Sequence, residues 1–447
     1  MTDNCIRITP HSESFMLKYI NIILLVVLVN VFVIPLRAAN PFLPDSAYIN
    51  AQWLGLYVAD LNTGKVVVEH NADRLFVPAS LTKLMTTASV VMLCDTNSRF
   101  ITKVDICGNI MQDTILNGDI IIRSSGDPVL GYRSLPEAAS FIDNTAKAIK
   151  DAGIRQITGK IIVDKSAVHD SGIPEGWKDN DLVEPYGAPY LTFNFKGNVV
   201  TRTETVVKGK GKKAKKTKVS KQYVDTRPDT TVVAYLTRAL KNEGIAVMRE
   251  SGLQNGKVKT LYEHESPRYI DIMTYLMKYS DNLVAEGMLR SIVGGRSRQE
   301  ALDKEYSNYK NIKAYFPDSL VKKDGSGLSR LNRITPKTFA SVLAYMAKGK
   351  NASSYARMFP LVGLQGTVKG FLKGTDLEGR LALKTGRLND VQCYAGYAFA
   401  DETKPNTPTH VVVCIANFYP MSRAELKQAL AKFLMYLFSK DSAKDAS

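Results

Sequence analysis

Histidine and cysteine are both scarce in this chain. Five histidines in 447 residues are scattered at positions 11, 70, 169, 264 and 410, and no His-Glu-x-x-His run occurs. That excludes a histidine-based zinc hydrolase. Five cysteines, with no Cys-x-x-Cys pair, are too few for a disulfide-built miniature fold and wrongly spaced for a zinc ribbon. No metal or cofactor is expected. Acids are the minority charge, 43 against 59 Lys and Arg, for a formal net charge of +16. The rest is ordinary for a globular protein: 45% hydrophobic and 23% charged. That composition can bury a sizeable core and, at this length, fill two or three domains.

Half of the basic excess is local. Lys208 to Lys221 holds eight lysines and no acid. It reads as a solvated flexible loop, with contact to an anionic cell-envelope polymer or membrane surface as the functional alternative. Nucleic acid is not expected as a partner, because Tyr19 to Leu36 is an almost unbroken apolar run with Lys18 before it and Ala38-Ala39 after it. Residues 1–39 read as an export signal, with an uncleaved anchor as the rival. Export implies the periplasm or cell envelope, where disulfides are permitted. Cys94 and Cys107 are close in sequence, and Cys393 and Cys414 lie on two apolar runs that could pair as strands; buried free thiols are the competing reading.

Leu54–Ala59, a turn at Asp60–Lys65 and Val66–Glu69 predict a hairpin. Pro78-Ala79-Ser80 opens a helix to about Cys94, with Leu81, Leu84, Met85, Ala88 and Val91 at helical spacing. From 96 to 261 the texture changes to short strand-like runs (119–123, 157–163, 199–207) around a helix near 136–152, which reads as an inserted domain. Helices return over 270–278, 282–293 and 335–347. Strands are then predicted over 380–384, 391–400 and 410–417, the first two joined by Thr385–Asp390, and an amphipathic helix over 423–438. The layering is α+β around one sheet. The main domain is 40–95 plus 262–447, interrupted by 96–261.

Three short motifs carry chemistry. Ser80-Leu81-Thr82-Lys83 is Ser-x-x-Lys at a helix start, Ser280-Asp281-Asn282 is Ser-x-Asn between two helices, and Lys384-Thr385-Gly386 is Lys-Thr-Gly at the end of a strand. Helix positions i and i+3 share a face, so the Lys83 amine reaches the Ser80 hydroxyl. A serine hydroxyl needs a base close by to attack a carbonyl. Burial, the helix N-terminus and the like charge of Lys384 push an amine toward the neutral form that accepts a proton. Ser280 would relay the proton to the leaving amine, and Asn282 would hold a substrate amide. Lys384 with Thr385 would bind an anionic group, Gly386 would let backbone approach closely, and the Ser80 and Arg387 N–H groups would form an oxyanion hole. Each motif is common alone; their order and their spacings of 200 and 104 residues make the set specific.

At these residues the chain resembles the penicillin-recognising serine peptidases. It is most similar to the class C low-molecular-mass penicillin-binding proteins, the D-alanyl-D-alanine carboxypeptidase/endopeptidase family. Ser125-Gly126-Asp127-Pro128, Tyr186-Gly187-Ala188-Pro189, Asp324–Arg330 with Asn332, and Gly366-Thr367 extend the likeness over most of 45–440. The resemblance implies a transpeptidase/β-lactamase-like domain, an antiparallel sheet with helices on both faces, split by a large insertion after the nucleophile helix. It implies peptidoglycan stem peptides as substrate and β-lactams as inhibitors that acylate Ser80. Asp127 would contact the stem's diamino acid, against a plain turn. Asp324, Ser326 and Arg330 would line the cleft, against a structural loop with Arg330 in a salt bridge. Trp177 and Tyr186 read as packing. Three departures stand out: the insertion is shorter than in the larger family members, Arg387 follows Lys-Thr-Gly where Thr or Ser is common, and the lysine loop is no family feature. A β-lactamase is the alternative enzyme, but no Glu-x-x-x-Asn element appears in the insertion; a non-catalytic β-lactam- or peptidoglycan-binding protein is the other, opposed by an intact Ser80–Lys83 pair.

Overall fold

The computed structural model describes residues 51–169, 172–208, 215–249, 257–312, 315–400 and 407–438. The expected export signal, Cys5, and Lys210, Lys212 and Lys213 of the lysine stretch lie outside the described residues.

In chain order the elements are β1 (Leu54–Asp60), β2 (Val66–His70), α1 (Thr82–Leu93), β3 (Ile101–Met111), β4 (Ile115–Arg123), α2 (Pro136–Ala139), α3 (Phe141–Asp151), β5 (Gln156–Ile157), β6 (Ile161–Asp164), α4 (Asp179–Leu182), β7 (Val199–Lys208), β8 (Lys215–Val224), α5 (Pro228–Asn242), β9 (Ala246–Val247), β10 (Val258–Glu265), α6 (Tyr269–Tyr279), α7 (Asn282–Ser291), α8 (Arg298–Asn311), α9 (Pro336–Lys348), α10 (Ala352–Arg357), β11 (Leu381–Leu388), β12 (Val391–Phe399), β13 (Pro408–Asn417) and α11 (Arg423–Phe438).

The main sheet is antiparallel throughout, in the order β11-β12-β13-β1-β2. Every residue of β12 is buried, so both faces of the sheet are covered. On one face Cys393, Ala395 and Tyr397 join Val413 and Ile415 in a core with Leu84, Met85 and Ala88 of α1 and Phe339 and Leu343 of α9. On the other, α11 buries Leu426, Leu430, Phe433 and Leu434, and its Phe438 ring meets His410 of β13 at a centroid distance of 5.3 Å. This is the expected α+β, transpeptidase/β-lactamase-like layering. β12 and β13 do pair, but Cys393 faces Ile415 while Cys414 faces Tyr394, which puts the two sulfurs on opposite faces. None of Cys94, Cys107, Cys393 and Cys414 is in a disulfide.

Residues 101–265 carry a second sheet, β10-β3-β4-β5-β9, with β6 also paired to β4. Its core of Ile120, Ile122, Phe141, Ile149, Leu236 and Leu240 is separate from that of the main sheet. β10 continues to Glu265, past the expected boundary at 261. The single run expected over 157–163 is two short strands, and the helix expected over 136–152 is interrupted at Ser140.

Two expectations about strands are corrected. The lysine stretch is not simply a loop: Lys215–Val224 is a strand paired with Val199–Lys208. Lys216, Lys218 and Lys221 are interspersed with Thr217, Val219 and Ser220, residues that tolerate extended backbone, and the ladder satisfies the main chain while these three exposed lysine heads stay in water. The Lys-Thr-Gly strand does not end at Lys384. It runs to Leu388, and only Asn389-Asp390 make the turn, with Asp390 at φ 58°. The motif therefore lies inside an edge strand, with one side open to the cleft.

Candidate active site

The nucleophile segment is clamped before its helix begins. Asn417 at the end of β13 accepts from the Val77 N–H at 2.7 Å and donates back to the Val77 carbonyl at 3.0 Å. Ala79 takes the left-handed conformation (φ 47°), a cost for a residue with a Cβ. One 3-10 turn, Ala79–Leu81, leads into α1. Gly327 makes room for that turn: its φ is +82°, and a Cβ there would lie 1.9 Å from the Ala79 carbonyl oxygen.

Lys83 is fully buried. Its Nζ lies 2.9 Å from Ser80 Oγ, 2.6 Å from Asn282 Oδ1 and 2.6 Å from the Ser326 carbonyl oxygen. Two of these neighbours only accept. A neutral amine gives its two hydrogens to Asn282 and Ser326, which turns its lone pair to the third neighbour, the Ser80 hydroxyl. Burial pushes the Lys83 amine down to about 8, against the opposing pull of the Asp324, Asp281 and Glu286 carboxylates.

Ser-x-Asn forms the corner between α6 and α7. Ser280 stops α6 in the left-handed region (φ 64°), and the Asp281 side chain caps α7 by accepting from the Val284 N–H. Tyr132, from the segment that carries the second sheet, donates to Asp281 at 3.0 Å. The Asn282 Nδ2 donates to the Tyr186 carbonyl at 2.8 Å, leaving one of its hydrogens for a substrate. Lys384 Nζ donates to Ser280 Oγ at 2.8 Å and to the Thr385 carbonyl at 2.7 Å. Burial, then the charge of Lys83, holds this second amine well below the usual lysine range. Thr385 donates to the Thr367 hydroxyl at 2.8 Å. A Cβ on Gly386 would sit 2.7 Å from the Pro78 oxygen, so only glycine lets β11 approach the nucleophile turn this closely.

The loop 324–332 supplies the Ser326 carbonyl. Asp324, fully buried, holds it in shape by accepting from the N–H groups of Gly327 (2.9 Å) and Ser329 (2.7 Å), from Asn332 Nδ2 (2.8 Å), from Trp177 Nε1 (2.9 Å) and from Ser326 Oγ (3.2 Å). Glu286 accepts from the Gly325 and Ser326 N–H groups, each at 2.9 Å.

The cleft over these groups has a volume of about 670 Å³. It exposes Ser80, Ser280, Asn282, Thr385, Arg387 and Arg330, all anticipated. Asp324 and Ser326 lie behind its wall. Asp127 does not line it: it is buried in its turn, one oxygen accepting from the Val129 N–H and the other without a partner. The acid in the cleft is instead Asp181, paired with Arg330 at 3.0 Å. Tyr186, expected as packing, is 54% exposed and lines the cleft. Asp181 sits in an Asp-Asn-Asp run that looks like any polar turn, so no sequence signal singled it out.

A Ser–Lys pair, a Ser-x-Asn corner and a Lys-Thr-Gly edge strand around one cleft of this fold define the penicillin-recognising serine peptidases. The model of the D-Ala-D-Ala carboxypeptidase 3 (S13) family matches residues 40–226 and 198–434, and the chain belongs to that family. It is 26% identical over 405 residues to the D-alanyl-D-alanine carboxypeptidase DacB of Haemophilus influenzae, covering 77% of this chain and 82% of the relative. A D-alanyl-D-alanine carboxypeptidase of Actinomadura is 22% identical over 412 residues, covering 77% and 74%. Among solved structures, penicillin binding protein 4 of Haemophilus influenzae matches with a TM-score of 0.71 at 23% identity, over 86% of this chain and 96% of that one. A predatory peptidoglycan endopeptidase of Bdellovibrio bacteriovorus matches at 0.54 and 16%, over 86% and 92%.

Proposed function

We propose that this family member is a serine-type D-Ala-D-Ala carboxypeptidase acting on peptidoglycan stem peptides, with endopeptidase action on cross-links as a second outlet, through an acyl-enzyme on Ser80. The observation that carries the reading is the Lys83 amine at 2.9 Å from the Ser80 hydroxyl and 2.6 Å from two groups that only accept, which in the neutral amine leaves the lone pair for Ser80. Ser80 Oγ attacks the penultimate D-Ala carbonyl as its proton passes to Lys83. The bond to the terminal D-Ala breaks, and its nitrogen takes a proton through Ser280, which Lys384 holds. Water then attacks the ester, freeing Ser80.

Lys384 and Thr385 are assigned to the substrate's terminal carboxylate. An incoming carboxylate favours the charged form of Lys384. That charge in turn favours a neutral Lys83, so binding prepares the base. β-Lactams enter the same path and stay attached to Ser80. The reading includes export to the periplasm or envelope, drawn from the apolar run at 19–36, and a catalytic domain of 40–95 and 262–447 split by 96–261, with β10 carrying the inserted sheet on to Glu265. The exposed Lys216, Lys218 and Lys221 of the β7–β8 ribbon are assigned to an anionic envelope surface.

Mass spectrometry of the mature protein after penicillin treatment tests the mechanism. The adduct is expected on Ser80, and absent from Ser80→Ala. Folded protein with an adduct on another residue, or with none, removes the mechanism.

A further inference from the structure

Beyond Ser80 the cleft continues along β11 to α11, and this end is cationic. Arg387 of β11 and Arg423 and Lys427 of α11 all line it. Arg423 and Lys427 are four residues apart, on one helix face. Arg423 donates to the Leu388 carbonyl at 3.1 Å, and its buried Nε has no partner. Among the described residues none of the three pairs with a carboxylate, and the acid lining the cleft, Asp181, is taken by Arg330.

We propose that Arg387, Arg423 and Lys427 form a subsite for a second carboxylate of the substrate, the free α-carboxylate of the γ-linked glutamyl residue in the stem peptide. The proposal rests on the carboxypeptidase reading above. With the terminal carboxylate at Lys384–Thr385 and the scissile carbonyl at Ser80, beside Gly386, the upstream stem runs past Arg387 and Leu388. An extended peptide added to an edge strand rises about 3.3 Å per residue, in step with the strand. The γ-carbonyl of the glutamyl residue, two upstream of the acylated D-Ala, therefore falls level with Leu388, where Arg423 is anchored, and its α-carboxylate, set off by two methylene groups, reaches on toward Arg423 and Lys427 of α11. Two guanidinium forks and an ammonium suit a carboxylate; the carboxamide of an amidated stem carries no charge to meet them.

The test uses two synthetic pentapeptide stems ending in D-Ala-D-Ala, identical except that one carries a free glutamyl α-carboxylate and the other its amide. The free acid is expected to be turned over roughly tenfold better in kcat/KM, mainly through KM. In Lys427→Met and in Arg423→Met that ratio is expected to fall toward one. Lys427→Met keeps the test alive if loss of the Arg423 anchor unfolds α11. Equal turnover of both peptides by the unaltered enzyme, or variants that keep the full ratio, overturns the subsite while leaving the carboxypeptidase standing. No turnover of either peptide removes both.

Discussion

The Lys83 amine meets the Ser326 carbonyl oxygen at 2.6 Å, across 243 residues of chain. This contact and the one to Asn282 decide which way the lone pair of a neutral Lys83 points. The base is thus oriented by a loop and a helix end remote in sequence from the nucleophile it serves.

Acylation should follow the neutral fraction of Lys83. Its amine titrates at about 8, so below that pH the proton blocks the lone pair and above it the base is free. The second-order rate of Ser80 acylation by a penicillin is expected to rise about tenfold per pH unit below 8 and level off above it. A rate independent of pH between 6 and 9 would exclude Lys83 as the base. Lys83→Arg, whose guanidinium stays charged, should lose about 10²–10⁴ in rate.

Asp324 touches neither Ser80 nor Lys83, but it shapes the loop behind them and its charge raises the Lys83 pKa. Asp324→Asn should therefore move the rise in the acylation profile below pH 8. The same change turns an amide N–H₂ toward backbone or indole N–H groups that only donate, at a cost of roughly 2–4 kcal/mol in stability. A melting curve and the pH profile separate the two effects. An unmoved profile in folded protein would mean the carboxylate has no say in the base.

Gly386→Ala would press a methyl group to 2.7 Å from the Pro78 oxygen. Either β11 or the nucleophile turn must shift to clear this backbone contact, and the reacting groups lose register. A loss of about 10²-fold in kcat/KM is expected for a stability cost of only about 1–3 kcal/mol. Activity within threefold of the parent would show that the close approach is not needed.

Asp127 is a stability group rather than a cleft group. Burial raises its carboxyl from 3.8 to about 7. A raised acid stabilises the fold while protonated: the contribution is complete below about 4 and is lost as pH climbs through 7. Asp127→Asn should remove that dependence and leave the variant more stable than the parent at pH 9, by on the order of 3 kcal/mol. Chemical denaturation at pH 5 and 9 measures it; a parent whose stability does not fall across that range would contradict the assignment.

The chemistry was readable in the chain because the three motifs carry it locally. Ser80 and Lys83 share a helix face by spacing alone. Ser280 and Asp281 mark a helix stop and a helix cap, and the alternating apolar runs mark the strands that became β12 and β13. The misplaced cleft residues share one cause. Asp127 and Asp181 both sit in short polar runs of sequence, and nothing in their neighbours says which faces the cleft; packing of the 101–265 segment against the main domain decides that. Tyr186 likewise reads as an aromatic to be buried until its carbonyl is found holding Asn282. The strand through Lys-Thr-Gly looked finished at Lys384 because glycine is a poor strand former. It continues because β12 pairs with it residue by residue and the missing Cβ lets the nucleophile turn close against it. The sequence by itself determined the reactive groups, since nucleophilicity and charge belong to side chains. Only the tertiary structure decided which groups converge and which lone pair faces which proton, because burial and distance are properties of the folded chain.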